Sequence, residues 1–147
     1  MSPGNERHVP VLLQDAIRYL NVRAGGTYVD ATLGLAGHAA AIAGKLGGQG
    51  RLIGFDRDPD ALELARARFQ ALDEELGEGM PQWVLHGDPF SDMSRFLEEA
   101  SLDGLLADFG VSSMQLDTAH RGFSFQADGP LDMRMDPRRG ATAEQVV

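Results

Sequence analysis

The sequence predicts an α/β fold built on a parallel sheet, and three observations lead there. Short apolar runs alternate with helical stretches in the order β-α-β-α-β-α-β. The length of 147 residues suits one domain that can bury a substantial core. The composition, 43% hydrophobic and 24% charged, is that of an ordinary globular chain.

Val11 to Leu20 carries apolar residues at Leu13, Ile17 and Leu20, a helical spacing. Gly25 and Gly26 break it, and Thr27 to Thr32 reads as a first strand. Gly34 to Gly37 is a tight turn into a short Ala-rich helix, His38 to Leu46, closed by Gly47, Gly48 and Gly50. Arg51 to Asp56 is a second strand. Asp58 is a good N-cap, Pro59 suits the first helical position, and Leu62, Ala65, Phe69, Leu72 and Leu76 recur at spacings of three and four. A third strand spans Gln82 to His86, a helix is expected near Asp92 to Ala100, and a fourth strand runs from Leu102 to Asp108. Gly110 to Gly140 shows no sustained period and reads as a long functional loop. Ala141 to Val147 has the look of a helix start.

Composition narrows the functions. The absence of cysteine excludes a disulfide scaffold, a Cys-type zinc site and a thiol nucleophile. His8, His38, His86 and His120 show no close metal spacing, so no metal site is expected. No run of about 18 apolar residues offers a membrane span. The start, MSPGNERHVP, lacks a basic region followed by an apolar stretch, so no signal peptide is expected and the setting is read as cytoplasmic. A net charge of −9 opposes capture of nucleic acid by overall electrostatics. The excess sits in residues 1–110, with 17 acidic against 9 basic residues, while Arg134, Arg138 and Arg139 cluster near the end.

Three segments could carry chemistry, each at the carboxyl end of a predicted strand, where open α/β sheets bind ligands. The first is Asp30 to His38. Its glycines allow close backbone approach to a ligand. It is neither G-x-G-x-x-G nor a Walker loop, and an ordinary strand-to-helix turn explains it equally well. The second is Asp56, which closes strand two. An acid there can accept hydrogen bonds from the vicinal hydroxyls of a ribose, and Asp58 already serves as the cap. Together the two suggest a nucleoside-containing cofactor, S-adenosylmethionine rather than NAD. The third is Asp108 to Gln115, where a carboxylate could meet the cofactor or a target amine, and Gln115 adds an amide that donates and accepts. Standing alone, that segment reads more simply as a polar turn. Ser112 and Ser113 do not form a G-x-S-x-G elbow.

The residues also resemble a known family. Its carriers are His8 to Leu12, Tyr28 to Gly34, Ala36-Gly37-His38, Phe55 to Pro59, His86-Gly87, Phe90-Ser91 and Leu106 to Asp117. The most specific are Arg121-Gly122-Phe123-Ser124-Phe125 and Asp128 to Asp136. From His8 to about Val147 the chain resembles the N-terminal half of the ribosomal RNA small subunit methyltransferase H family, bacterial 16S rRNA cytosine-N4 methyltransferases.

The resemblance implies a class I S-adenosylmethionine-dependent methyltransferase fold, Rossmann-like, with a helical domain inserted after the fourth strand. It implies S-adenosyl-L-methionine as donor. The acceptor would be a cytidine in the decoding region of 16S rRNA in the small ribosomal subunit. By that match Ala36, Gly37 and His38 would line the methionine end, Asp56 would hold the ribose, Phe90 would pack near the adenine, and Asp108 and Gln115 would complete the pocket. Asp108 is the candidate catalytic residue, serving donor or acceptor. Arg134, Arg138 and Arg139 are candidates for RNA contact, with a solvated turn as the equal alternative.

The chain departs from the common pattern at Ala36, where a glycine is usual, at the strand-three exit, which is one residue longer, and at Met114, where Pro is frequent. The family's sheet has seven strands and this chain supplies four. Residues 1–133 are thus expected to be the N-terminal part of the core, and residues 134–147 the start of the inserted domain. The competing expectations are a weakly active or non-catalytic cofactor-binding piece, or another nucleoside-cofactor enzyme such as a dehydrogenase.

Overall fold

The computed structural model of the chain describes Pro10 and residues 12–147. His8, Val9 and Val11 of the first resemblance motif lie outside the described residues. The elements are α1 (Leu13–Leu20), β1 (Thr27–Asp30), α2 (Gly37–Leu46), β2 (Arg51–Phe55), α3 (Pro59–Leu76), β3 (Gln82–His86), β4 (Gly104–Leu106), α4 (Ser113–Asp117) and α5 (Ala143–Val146). All four strands are parallel, in the order β3-β2-β1-β4.

The period of two along each strand divides the apolar residues between two faces. Tyr28 and Leu52 point to one face and pack with Ile42 and Leu46 of α2 and Ala65 and Phe69 of α3, all close to fully buried. Val29, Ala31, Ile53 and Phe55 point to the other, where Met93, Leu97 and Leu102 partly cover them. The main core therefore lies between the sheet and α1–α3. The second face has a thinner cover.

The expected N-terminal signals of α3 are in place. Asp58 Oδ1 accepts from Asp60 N at 3.0 Å, and Pro59 occupies the first turn. The helix expected near Asp92 to Ala100 differs. The chain forms a 3-10 stretch, Phe90–Arg95, followed by turns. Local polar side chains compete with a continuing helix here: Asp92 holds Ser91 and Arg95, and Ser101 Oγ donates to Glu98 O at 2.6 Å. The fourth strand is regular only over Gly104–Leu106.

The aperiodic segment after Asp108 is ordered by side-chain caps and a buried arginine rather than by long elements. Ser112 and Gln115 form a reciprocal capping box on α4. Arg121, 4% exposed, donates to the carbonyls of Met135 at 2.8 Å and Arg134 at 3.1 Å. Gly122, at φ +76°, sits where a Cβ would collide with Pro130 O, which explains the glycine inside the Arg121–Phe125 motif. Among the described residues no helix is long and apolar enough to cross a membrane.

Candidate cofactor-binding site

The strand order reverses between β1 and β4, and a cavity of about 650 Å³ opens there at the carboxyl edge of the sheet. Four chain crossings reach it. Gly34, Gly37 and His38 come from the turn after β1, Asp56 and Arg57 from the end of β2, Phe90 from beyond β3, and Asp108 to Gln115 from beyond β4. The structure thus brings together Gly37, His38, Asp56, Phe90, Asp108 and Gln115. Ala36 is fully buried behind the wall at φ 57°, a left-handed conformation that explains why glycine suits this position.

Asp56 is fixed from both sides. Its Oδ2 accepts from Gly34 N at 2.8 Å and its Oδ1 from Asp58 N at 2.9 Å. Burial pushes its carboxyl up, and these two amides oppose that shift. Each oxygen keeps a further acceptor site, enough for two hydroxyls.

Asp108 is exposed at the cavity mouth, and its backbone N donates to Thr32 Oγ1 at 2.6 Å. Phe90 pairs with the exposed ring of Phe109, centroids 5.5 Å apart. Gln115 lines the cavity, but its amide is committed: Oε1 accepts from Ser112 N at 3.0 Å, and Nε2 donates to Asp58 Oδ2 at 2.7 Å.

Two residues that lay inside the motifs but were given no role of their own stand behind this site. Asp30 ends β1 almost fully buried, accepts from Thr32 N at 3.1 Å, and leaves Oδ2 without a hydrogen-bond partner. Burial pushes its carboxyl up to about 7, opposed by the Thr32 amide and reinforced by Asp56 and Asp108. An acid closing an apolar strand run was the available signal. Arg121 meets the fully buried Asp58 at 2.9 Å and Asp60 at 3.2 Å, so it ties the segment after β4 to the loop that carries Asp56. Its place in the most specific motif was the signal there.

Arg134, Arg138 and Arg139 are not among the residues lining this cavity, and each is held differently. Arg134 pairs with Asp132 at 2.7 Å and Arg138 with Asp136 at 2.8 Å, while Arg139 is 3.8 Å from Asp136 and 72% exposed. The Arg134 guanidinium holds the Asp132 carboxyl down at about 2.

The parallel order, the reversal point and the acid at the end of β2 define a class I methyltransferase fold. It is shared with a SAM-dependent O-methyltransferase from Thermotoga maritima, with a TM-score of 0.55 and 20% identity over 71% of this chain and 38% of that one. The pattern of the MraW methylase family matches residues 5–147, and the chain belongs to that family. It is 71% identical over 142 residues to a ribosomal RNA small subunit methyltransferase H of Acidobacterium capsulatum, covering 97% of this chain and 48% of the relative. It is 56% identical over 140 residues to the protein of that name from Koribacter versatilis, covering 95% and 45%. The chain therefore spans about half the length of the curated relatives it matches.

S-adenosyl-L-methionine is the cofactor of this family, and the cavity residues fit it. An amide-held carboxylate at the end of β2 suits a ribose. Gly37 opens α2 in the space beside Pro10, where a Cβ would collide with that proline. The exposed carboxyl of Asp108 and the amide-held carboxyl of Asp56 favour a cationic sulfonium and ammonium beside them.

Proposed function

We propose that this chain is the donor-binding part of an enzyme that methylates the exocyclic N4 of a cytidine in the decoding region of 16S rRNA. The enzyme would act on the small ribosomal subunit in the cytoplasm. In this reading residues 1–133 are the N-terminal part of the methyltransferase core, and residues 134–147 begin an inserted helical domain. The observation that carries it is the convergence of the β1, β2 and β4 ends on one cavity, with Asp56 already oriented by two backbone amides. The names of the two curated relatives support the rRNA substrate.

Asp56 accepts hydrogen bonds from the donor's ribose hydroxyls. The backbone amides at the start of α2, near Gly37 and His38, face the methionine carboxylate, where the helix dipole favours an anion. Phe90 covers the adenine. Bound donor supplies an electrophilic methyl carbon on sulfur, so orientation rather than activation is the protein's main task. The cytosine amine is a poor nucleophile because its lone pair is conjugated with the ring. Asp108, at the cavity mouth, would accept a hydrogen bond from N4–H, raise the electron density on that nitrogen, and take the proton as the N–CH3 bond forms and the S–CH3 bond breaks, its electron pair staying on sulfur as a neutral thioether. The base must leave its stack to reach this point. Arg134, Arg138 and Arg139 are the candidates for RNA contact.

The test is methyl transfer to small subunits by the protein in its full natural length, followed by nucleoside mass spectrometry. The expected product is N4-methylcytidine. Methylation on ring carbon or ribose, or none, would refute the reading. A second reading, a cofactor-binding piece without turnover, is favoured by one observation: among the described residues β4 pairs on one side only, which leaves an open sheet edge beside the site. The 147-residue chain is expected to bind donor and transfer methyl groups poorly in the same assay.

A further inference from the structure

Next to the donor cavity lies a second cleft of about 380 Å³, and the two share Arg57, Pro89 and Met135 as a common wall. Three arginines line it: Arg57, Arg134 and Arg139. With Asp136 as the one acid among its lining residues, the cleft has an excess of basic groups on a chain of net charge −9. The arginines differ in what holds them. Arg134 gives Nε and one Nη to the two oxygens of Asp132, at 2.9 and 2.7 Å, so its charge is largely answered. Asp136, the acid on this wall, accepts two bonds from Arg138, at 2.8 and 3.0 Å, and only approaches Arg139 at 3.8 Å. Arg57 is exposed and has no carboxylate within ion-pair reach among the described residues. Two guanidiniums with unspent donors therefore flank one cleft.

We propose that Arg57 and Arg139 form a seat for a backbone phosphate of the acceptor RNA, close to the nucleotide whose base enters the donor cavity. The inference rests on the proposed function and deepens it. The donor carries no phosphate, so an anion seated here belongs to the acceptor strand. Guanidinium forks suit phosphate oxygens, and such a contact fixes register without reading sequence. Arg57 follows Asp56 directly, so the residue that holds the donor and the residue that holds the strand are neighbours on one loop. Arg138 has no part in the seat, because its fork is filled by Asp136.

The test uses the protein in its full natural length with small ribosomal subunits. Subunit binding, KM for subunits and donor Kd are measured for Arg57→Ala, Arg139→Ala and the pair, with Arg66→Ala on the exposed side of α3 as a charge control. Arg139→Ala is expected to raise subunit KM roughly tenfold, with donor Kd unchanged. Each substitution in the seat is expected to lower the slope of log affinity against log salt by about 0.7 to 0.9. Arg57→Lys and Arg139→Lys, which keep the charge, should restore most of the affinity and so exclude a folding defect. Behaviour equal to Arg66→Ala would overturn the seat. So would loss of inorganic phosphate binding with subunit affinity and salt slope intact. A protein whose subunit binding depends on both arginines but which transfers no methyl group would support the seat and refute the proposed enzyme.

Discussion

Asp30 and Arg121 are buried ionisable groups behind the site, and they act in opposite ways. Asp30 has a carboxyl raised by burial to about 7, so the folded chain holds a proton that the unfolded chain releases near pH 4. Its contribution to stability is therefore complete at low pH and is lost as pH rises from about 4 through about 7. Asp30→Asn should flatten that part of the stability profile, as measured by denaturant titration at several pH values. A cationic donor favours the ionised form, so donor affinity should rise with pH through 7 in the parent protein and much less in Asp30→Asn. Arg121 is a buried cation shared by Asp58 and Asp60. Arg121→Met removes one side of a buried pair and should cost about 3 kcal/mol or more in denaturant unfolding. Arg121→Lys should not restore it, because a single ammonium cannot reach two carboxylates and two carbonyls at once. Asp56→Asn keeps the shape but loses the charge that strengthens hydroxyl contacts, and should weaken donor binding by about tenfold or more in calorimetry. At this scale the placement of Asp56 and Asp108 at the cavity was legible, because each acid follows the carboxyl end of an apolar strand run. Asp30 sat in plain view in the first strand, but whether an acid is buried depends on what packs over it, and that packing comes from residues distant in the chain.

The strand-to-helix turns set the site's geometry, and glycine decides the one after β1. Gly37 starts α2 in contact with the Pro10 segment, so Gly37→Ala should displace that segment or the helix start and lower both stability and donor affinity. Gly44, in the exposed part of the same helix, meets nothing within 4 Å. Gly44→Ala should raise stability by up to about 1 kcal/mol in thermal unfolding, through helix propensity alone. The contrast separates a glycine needed for space from one that is not. Helix α3 was readable nearly to the residue, because an N-cap, a proline and an apolar period all agree there. The helix expected near Asp92 to Ala100 was not. It has no such consensus, and its serines and aspartates spend their hydrogen bonds locally.

For the whole molecule, the sheet is best protected at its centre. β1 and β2 each pair on both sides, whereas β3 and β4 each pair on one. Amides of β4 should therefore exchange with solvent well before those of β1 in hydrogen-exchange mass spectrometry of the 147-residue chain, and more slowly in the protein of full natural length. Leu105, 43% exposed on β4 and in register with Val29, lies on the thinly covered face of the sheet. The parallel α/β architecture was legible because the alternation of strand and helix is local. The closure of residues 110–140 was not, because a buried arginine and side-chain caps leave no period in the sequence.

Asp56 and Asp108 bring two carboxyl groups to one opening, and that bears on how a catalytic cycle would end in the proposed enzyme. Sulfur is positive before methyl transfer and neutral after it, so the spent thioether forfeits part of the attraction that drew its precursor in. In the proposed enzyme such a rim would prefer fresh reagent over used, and would help each cycle end in departure rather than in product inhibition.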